Sequence, residues 1–483
     1  MSGMEFDLIV IGGGPAGYKT ATAAARLGAN VAIMERGRIG GTCLNEGCIA
    51  SETLLHLASL IEDVRSLSER GLSGSVTGDF AAAVRHKDTV VSSMRDGIPA
   101  ALKRLGISLF HGEARFEHSS RVLVEPPLDN PRGDERVSLE AERIVVTTGS
   151  RPRVLPECPV DGEFVVSSRE FLTRVSRLPE RLLCIGGGAI GVEAAYLARQ
   201  FGAQVTIAEQ GMRLLPLARI PEHVSDILER KFGRLGIEVR TGISPVACRM
   251  EAGQARVAFS DGSEGAYGMV LVAVGRVPNT ENLGLHAIGV TTTPAGHIRT
   301  NEYLETGVPG VYAAGDVRAG PMTANAALHD AKVVVENALA SKRVRANYFK
   351  APFVVHSALE MATVGLSEAQ ADEAGFTPEV ARAGFGASGK ARARHDYEGF
   401  VEVVHDAQTG QLLGGCIVGP EAGEQILLIA AACQSSRGLW LFKDLSYSHP
   451  SWCEEIETAV DPYTASLARS ARNLFRPGIL AQS

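Results

Sequence analysis

Val10-Ile11-Gly12-Gly13-Gly14-Pro15-Ala16-Gly17 decides how the chain is read, because Cys184-Ile185-Gly186-Gly187-Gly188-Ala189-Ile190-Gly191 repeats its pattern 174 positions later. Each copy is an apolar strand, a G-x-G-x-x-G turn and an alanine-rich helical run. Each then passes a Gly-Ala pair (Gly28-Ala29, Gly202-Ala203) and a second strand ending in an acid, Glu35 or Glu209, 23 residues beyond its first glycine. In such a unit the first glycine (Gly12, Gly186) permits a tight turn, and the second (Gly14, Gly188) lets backbone approach a pyrophosphate. The third (Gly17, Gly191) lets helix and strand pack closely, and the acid accepts hydrogen bonds from an adenosine ribose. One such turn is weak evidence; two in register predict an α/β chain with two Rossmann-like dinucleotide-binding domains.

Two nucleotide sites imply one fixed cofactor and one that exchanges. Glu209 favours the free 2′-OH of NAD and repels the 2′-phosphate of NADP, although Arg213 follows closely. Two segments point to FAD at the other site. Val145-Val146-Thr147-Thr148-Gly149-Ser150-Arg151-Pro152 reads as a strand ending in a turn of small residues, which places Thr148 and Gly149 at a cofactor. Val311-Tyr312-Ala313-Ala314-Gly315-Asp316 reads as a buried strand whose terminal carboxylate suits ribityl hydroxyls; an aspartate there would also cap a helix.

At 483 residues the chain is long enough for two to four domains. A net charge of −7 gives no basic face for nucleic acid. No apolar run reaches the roughly 18 residues of a membrane span. The strand-like Phe6–Ile11 follows the first residues so closely that no secretory leader is expected, and a cytoplasmic location is. Six cysteines (Cys158, Cys184, Cys248, Cys416, Cys433, Cys453) lack paired spacing and are expected to be free thiols. Cys43 and Cys48 stand four residues apart. In a reducing compartment that spacing suggests metal or catalysis. Zinc would need two further ligands, which the neighbouring sequence does not supply; no metal is expected, and redox chemistry is the better reading.

Together these features resemble the class I pyridine nucleotide–disulfide oxidoreductases, nearest to their dihydrolipoamide dehydrogenase branch. The likeness is carried by Gly40-Gly41-Thr42-Cys43-Leu44-Asn45-Glu46-Gly47-Cys48-Ile49, Gly275-Arg276-Val277-Pro278-Asn279, Gly414–Pro420 and His449-Pro450-Ser451-Trp452-Cys453-Glu454. It implies an FAD domain (1–152), an NAD domain (153–278), a central domain completing the FAD site (279–348) and a C-terminal α+β interface domain (349–483) that makes a homodimer. Electrons would pass between NAD(H), FAD and a Cys43–Cys48 disulfide. Cys48 would be the thiolate against the flavin and Cys43 the interchange thiol. His449 from the other subunit would be the base, oriented by Glu454. Gly41, Thr42, Gly275 and Glu193 would join the cofactor sites.

One departure sits in the active centre. The family usually reads Cys-Ile-Pro-Ser-Lys after the second cysteine; here it is Cys48-Ile49-Ala50-Ser51-Glu52. The missing lysine normally pairs with a glutamate beside flavin N5, matched here by Glu193, so two carboxylates are expected where an ion pair would stand. Losing about 1–3 kcal/mol of cationic stabilisation would lower the two-electron potential by roughly 20–65 mV. A solvated Glu52 would have little effect, and Lys19 is a candidate replacement charge. Trp452 and Cys453 either narrow the disulfide pocket or pack. His356-Ser357-Ala358-Leu359-Glu360 has lost a Thr-x-Pro-Glu pattern, and Glu125–Asp134 reads as an exposed hairpin loop.

The function expected is NAD-linked oxidation or reduction of a dithiol/disulfide, foremost dihydrolipoamide on a lipoyl-bearing carrier protein. Glutathione reductase chemistry would want arginines in place of Glu209. Mercuric reductase would carry a cysteine pair near its end, and Phe475–Ser483 has none. The alternatives are a small disulfide substrate, an NADH diaphorase in which the disulfide is incidental, and a flavoprotein subunit tuned down by Glu52.

Overall fold

In the computed structural model, residues 4–65, 67–126, 136–340 and 342–466 are described. Residues 127–135, which cover most of the stretch expected to be a hairpin loop, and 467–483 lie outside them. The chain groups into two compact units. One holds the chain up to Leu57 with Thr77–Leu178 and Val274–Ala346; the other holds Ala58–Val76, Pro179–Ala273 and the chain from Asn347.

The first unit is built on a seven-stranded sheet. Its order is Ser108–His111, Val31–Glu35, Met4–Ile11, Val137–Val146, Arg121–Glu125 and Glu113–His118, and Val311–Ala313 also pairs with Val137–Val146. The strands 108–111, 31–35, 4–11, 137–146 and 311–313 run parallel. Leu8, Ile9 and Val10 have no exposed surface, as a continuous apolar run covered on both faces requires. Pro15 opens helix Pro15–Arg26, where its missing N–H costs nothing. That helix packs on Ala324–Leu339 through Ala16, Ala21, Ala24, Ala327 and Val334, so small residues set the close approach.

The second unit repeats the arrangement, with parallel strands in the order Ile237–Thr241, Gln204–Glu209, Arg181–Ile185 and Met269–Val272. Helix Ala189–Gln200 follows its glycine turn. The same unit carries a five-stranded antiparallel sheet ordered Phe353–Val355, Met361–Gly365, Leu412–Val418, Phe400–Asp406 and Pro378–Gly384. Helices Ala422–Ala432 and Glu454–Ser466 close its core through Ile426, Ile429, Ile456 and Val460. This is the expected α+β segment. Among the described residues no helix is long and apolar enough to cross a membrane.

Candidate active site

The two glycine turns match residue by residue. Gly12 and Gly186 have φ of +110° and +105°, in the left-handed region that glycine alone adopts freely. A Cβ on Gly17 would sit 1.9 Å from the Gly12 carbonyl oxygen, and one on Gly191 would sit 1.9 Å from that of Gly186. The third glycine of each turn is therefore a packing requirement. A Cβ on Gly188 would meet nothing within 4 Å, and one on Gly14 only the Gly41 Cα at 3.8 Å. The second glycines thus face the space a pyrophosphate would take, above a helix N-terminus that favours anions.

Each acid closes its own turn. Gly13 and Gly37 donate backbone N–H bonds to Glu35 Oε2 and Oε1, both at 2.8 Å. Gly187 and Gly211 do the same for Glu209, both at 2.6 Å. These carboxylates stand ready for ribose hydroxyls. The Arg213 guanidinium donates to the carbonyls of Leu215, Leu217 and Ile220 and to Ser225 Oγ, so its donors are engaged within the chain.

Cys43 lies in the short helix Gly41–Glu46, and Cys48 is the first residue of helix Cys48–Arg65. Both are free thiols. The neighbouring Cys43 thiol lowers the Cys48 thiol below its ordinary range against the cost of desolvation, helped by a backbone N–H and by Arg276 and opposed by Asp316. The same neighbour, with burial, raises Cys43. The helix N-terminus at Cys48 acts in the same direction, since it stabilises a thiolate. Thr42 Oγ donates to Glu46 at 3.4 Å, and Glu46 pairs with Arg169 at 2.8 Å.

Asp316 follows the buried strand Val311–Ala313 in a short 3-10 turn. The turn is anchored by Asp330, which accepts from the Gly315 N–H at 2.8 Å and pairs with Arg318 at 2.8 Å in full burial. Thr148 and Asn279 bond reciprocally, Thr148 Oγ to the Asn279 carbonyl at 2.6 Å and Asn279 Nδ2 to the Thr148 carbonyl at 2.9 Å. Gly149 and Gly275 take φ of +68° and +103° beside this contact.

In the second unit, His449 Nδ1 meets Glu454 Oε1 at 2.8 Å, and the Ser451 N–H donates to Oε2 at 2.6 Å. The bond to His449 holds the Glu454 carboxyl below its usual range. His449 is 80% exposed, an orientation open to another molecule. Glu193, half-buried on helix Ala189–Gln200, accepts the His356 N–H at 3.1 Å.

Residues 6–331 match the family described as pyridine nucleotide-disulphide oxidoreductase, and residues 351–460 match that family's dimerisation domain. The chain belongs to the pyridine nucleotide-disulphide oxidoreductases. It is 36% identical to the dihydrolipoyl dehydrogenase of Chlorobaculum tepidum, over 94% of this chain and 96% of that one. It is 35% identical to the mitochondrial dihydrolipoyl dehydrogenase of Pisum sativum, over 94% and 91%. Among solved structures, LpdA from Mycobacterium tuberculosis superposes with a TM-score of 0.88 at 24% identity, covering 95% of this chain and 99% of that one, a likeness of fold. The HOCl-induced flavoprotein disulfide reductase RclA from Escherichia coli superposes at 0.83 with 26% identity, covering 96% and 100%. As a family member the chain is an FAD- and NAD(H)-dependent oxidoreductase with a disulfide centre.

The residues present fit both cofactors: open second glycines, clamped acids and a carboxylate at the end of a buried strand. One expectation needs revision. Cys184, Cys416, Cys433 and Cys453 are free thiols as expected, but Cys158 and Cys248 are disulfide-bonded, which their isolated positions in sequence gave no means of seeing. Trp452 packs, its ring edge-on to Phe385 at 5.7 Å, against the core of the interface sheet. Glu360, in the segment that lost the Thr-x-Pro-Glu pattern, accepts the Gly423 N–H at 2.5 Å. Glu52 is exposed on its helix. Ser150, Arg276, Asp330 and Arg318 were not marked as site residues in the sequence, although Ser150 and Arg276 stood in quoted motifs.

Proposed function

We propose that the chain is an NAD-linked dihydrolipoamide dehydrogenase. The observation that carries this reading is the Cys43–Cys48 thiol pair in the same unit as a dinucleotide turn and Asp316, with the Cys48 thiol held below its ordinary range by its neighbour. When bound, FAD and NAD(H) supply hydride and electron-pair chemistry. The chain's own residues do the rest. Gly12, Gly14, Gly17, Glu35, Gly41, Thr42, Thr148, Gly149 and Asp316 hold the flavin nucleotide; Gly186, Gly188, Gly191, Glu193, Glu209 and Gly275 serve NAD. In dihydrolipoamide oxidation His449 takes a substrate thiol proton while Glu454 keeps its ring in line. The substrate thiolate attacks Cys43 of the Cys43–Cys48 disulfide and Cys48 leaves as thiolate; the second substrate thiolate then displaces Cys43 to close the substrate disulfide.

The reading includes the division into FAD (1–152), NAD (153–278), central (279–348) and interface (349–483) domains. It includes a cytoplasmic homodimer in which His449 serves the partner's disulfide, and a lipoyl-bearing carrier protein as substrate. The names of the curated relatives and the matched dimerisation domain support it. Anaerobic titration with NADH, then a panel of dihydrolipoamide, glutathione disulfide and quinones with NADPH as control, tests it. Turnover of dihydrolipoamide with NAD+ is expected; turnover of quinones alone, retained in Cys43→Ser, would defeat it. The exposure of Glu52 speaks against the second reading, a flavoprotein subunit with weak disulfide chemistry, and ordinary dihydrolipoamide turnover would eliminate it.

A further inference from the structure

Asp316 can serve a flavin only if its carboxylate keeps an oxygen free to accept, and its neighbours in the first unit settle which one. Its backbone is fixed from behind, because buried Asp330 accepts the Gly315 N–H at 2.8 Å and is itself paired with Arg318. The 3-10 turn Gly315–Val317 is thereby anchored, and the freedom that remains is that of the Asp316 side chain.

Ser150 restrains that side chain. It begins the strand Ser150–Pro152, which pairs antiparallel with Arg276–Pro278. Arg276 donates from Nε to the Ser150 hydroxyl at 2.7 Å and from Nη2 to the Ser150 carbonyl at 2.8 Å. A guanidinium has no acceptor to offer, so the hydroxyl accepts from Arg276 and gives its one proton to Asp316 Oδ2 at 2.5 Å. Arg276 and Asp316 also form an ion pair, with Nε and Oδ2 3.9 Å apart. Each of these contacts falls on Oδ2. Among the described residues Oδ1 accepts no hydrogen bond.

The hydroxyl is what keeps the ion pair long. Guanidinium and carboxylate pair best in bidentate fashion, which takes both carboxylate oxygens. With Ser150 bonded to both partners, the pair stays at a separation too great for a direct hydrogen bond, and Oδ1 is left uncommitted.

We propose that Ser150 is a positioning residue of the flavin site, which holds Arg276 and Asp316 at their longer separation so that Asp316 Oδ1 remains an acceptor for a ribityl hydroxyl of FAD. This rests on the reading of Asp316 as a flavin ligand. Flavin retention then depends on a hydroxyl that need not touch the flavin.

The test uses the oxidised, FAD-loaded protein, diluted to nanomolar concentration below its melting range while the fluorescence of released FAD is followed. Ser150→Ala should release FAD about tenfold faster than the parent, the loss expected for one hydrogen bond to a charged group. Ser150→Thr keeps the hydroxyl and should stay within about twofold of the parent. The acceleration should vanish where there is no carboxylate charge to collapse onto Arg276. In an Asp316→Asn background, adding Ser150→Ala should change the release rate by less than about twofold, whereas a merely structural serine would give the same factor in both backgrounds. Release from Ser150→Ala within about twofold of the parent, or an equal acceleration in the Asp316→Asn background, would overturn the proposal. If Asp316→Asn retains no FAD, Arg276→Met replaces it as the background, with the same two outcomes. Asp316→Asn releasing FAD at the parental rate would remove the assignment of Asp316 beneath the proposal, a different result from a Ser150→Ala that behaves as the parent.

Discussion

The two glycines that open the second nucleotide site should fail in opposite ways when given a methyl group. At Gly191 the added carbon lands 1.9 Å from the Gly186 carbonyl oxygen, where contact distances are about 3.5 Å. The helix must withdraw from the turn, an overpacking cost of about 1–3 kcal/mol, which lowers the Tm by about 2–12 °C in a domain of this size. At Gly188 the methyl meets nothing within 4 Å, and the φ of −74° suits any residue. A poorer helix cap costs a few tenths of a kcal/mol and a stiffer unfolded chain returns about 0.4–1 kcal/mol, so the melt should move by about 2 °C or less. The methyl instead fills the approach to the pyrophosphate and should weaken NAD+ by about 10- to 100-fold, roughly 1.4–2.8 kcal/mol. Calorimetric titration of NAD+ into the oxidised, FAD-loaded variants, beside thermal melts, separates the two. Gly188→Ala binding NAD+ within about twofold of the parent, or Gly191→Ala melting with it, would refute the reasoning.

Three further outcomes are expected. Glu454→Gln keeps the shape but removes the anion from His449 Nδ1 and should lower dihydrolipoamide turnover about 10- to 100-fold with little change in the melt; an unchanged kcat would show that the pair does not serve the proton transfer. His405 is wholly buried, its Nε2 has no hydrogen-bond partner among the described residues, and desolvation lowers its pKa below 6.5. The unfolded chain then binds the proton more readily, so stability should fall as pH drops below 6.5; a urea midpoint that does not change over that window, or the same slope in His405→Phe, would contradict it. Glu52→Lys should raise the flavin's two-electron potential by about 20–65 mV if the cation gained is worth about 1–3 kcal/mol, and an unmoved potential would mark Glu52 as a solvated helix residue.

What could be read from the sequence was whatever local sterics write into it. Gly12 and Gly17 are needed by one turn and helix, while Gly14 leaves open space for a ligand, so their spacing reports geometry, and repetition at Gly186, Gly188 and Gly191 removes chance. Glu35 and Glu209 end their strands for the same local reason. His449 carries no such signature; resemblance alone singled it out, and the structure supplies the Glu454 contact. The Ser150–Asp316 contact joins residues 166 positions apart, with no periodicity or spacing to announce it. Cys158 and Cys248 were misread as free because nothing in the local sequence of either reports its oxidation. The burial of Asp330 and Arg318 behind Gly315 is likewise long-range, an ion pair that only tertiary packing reveals.

The two glycine turns differ in how tightly each is tied to the redox pair. Both carboxylates are immobilised by backbone N–H groups, so neither nucleotide has to freeze a side chain on arrival, and that cost is equal on the two sides. At Gly14, however, the Gly41 backbone packs close, and a Cβ on Gly41 would come within 2.6 Å of the Gly14 Cα. Gly188 has no such neighbour. A side chain at position 41 would therefore displace the first turn and the short helix carrying Cys43 together, whereas the second turn can be altered at Gly188 alone.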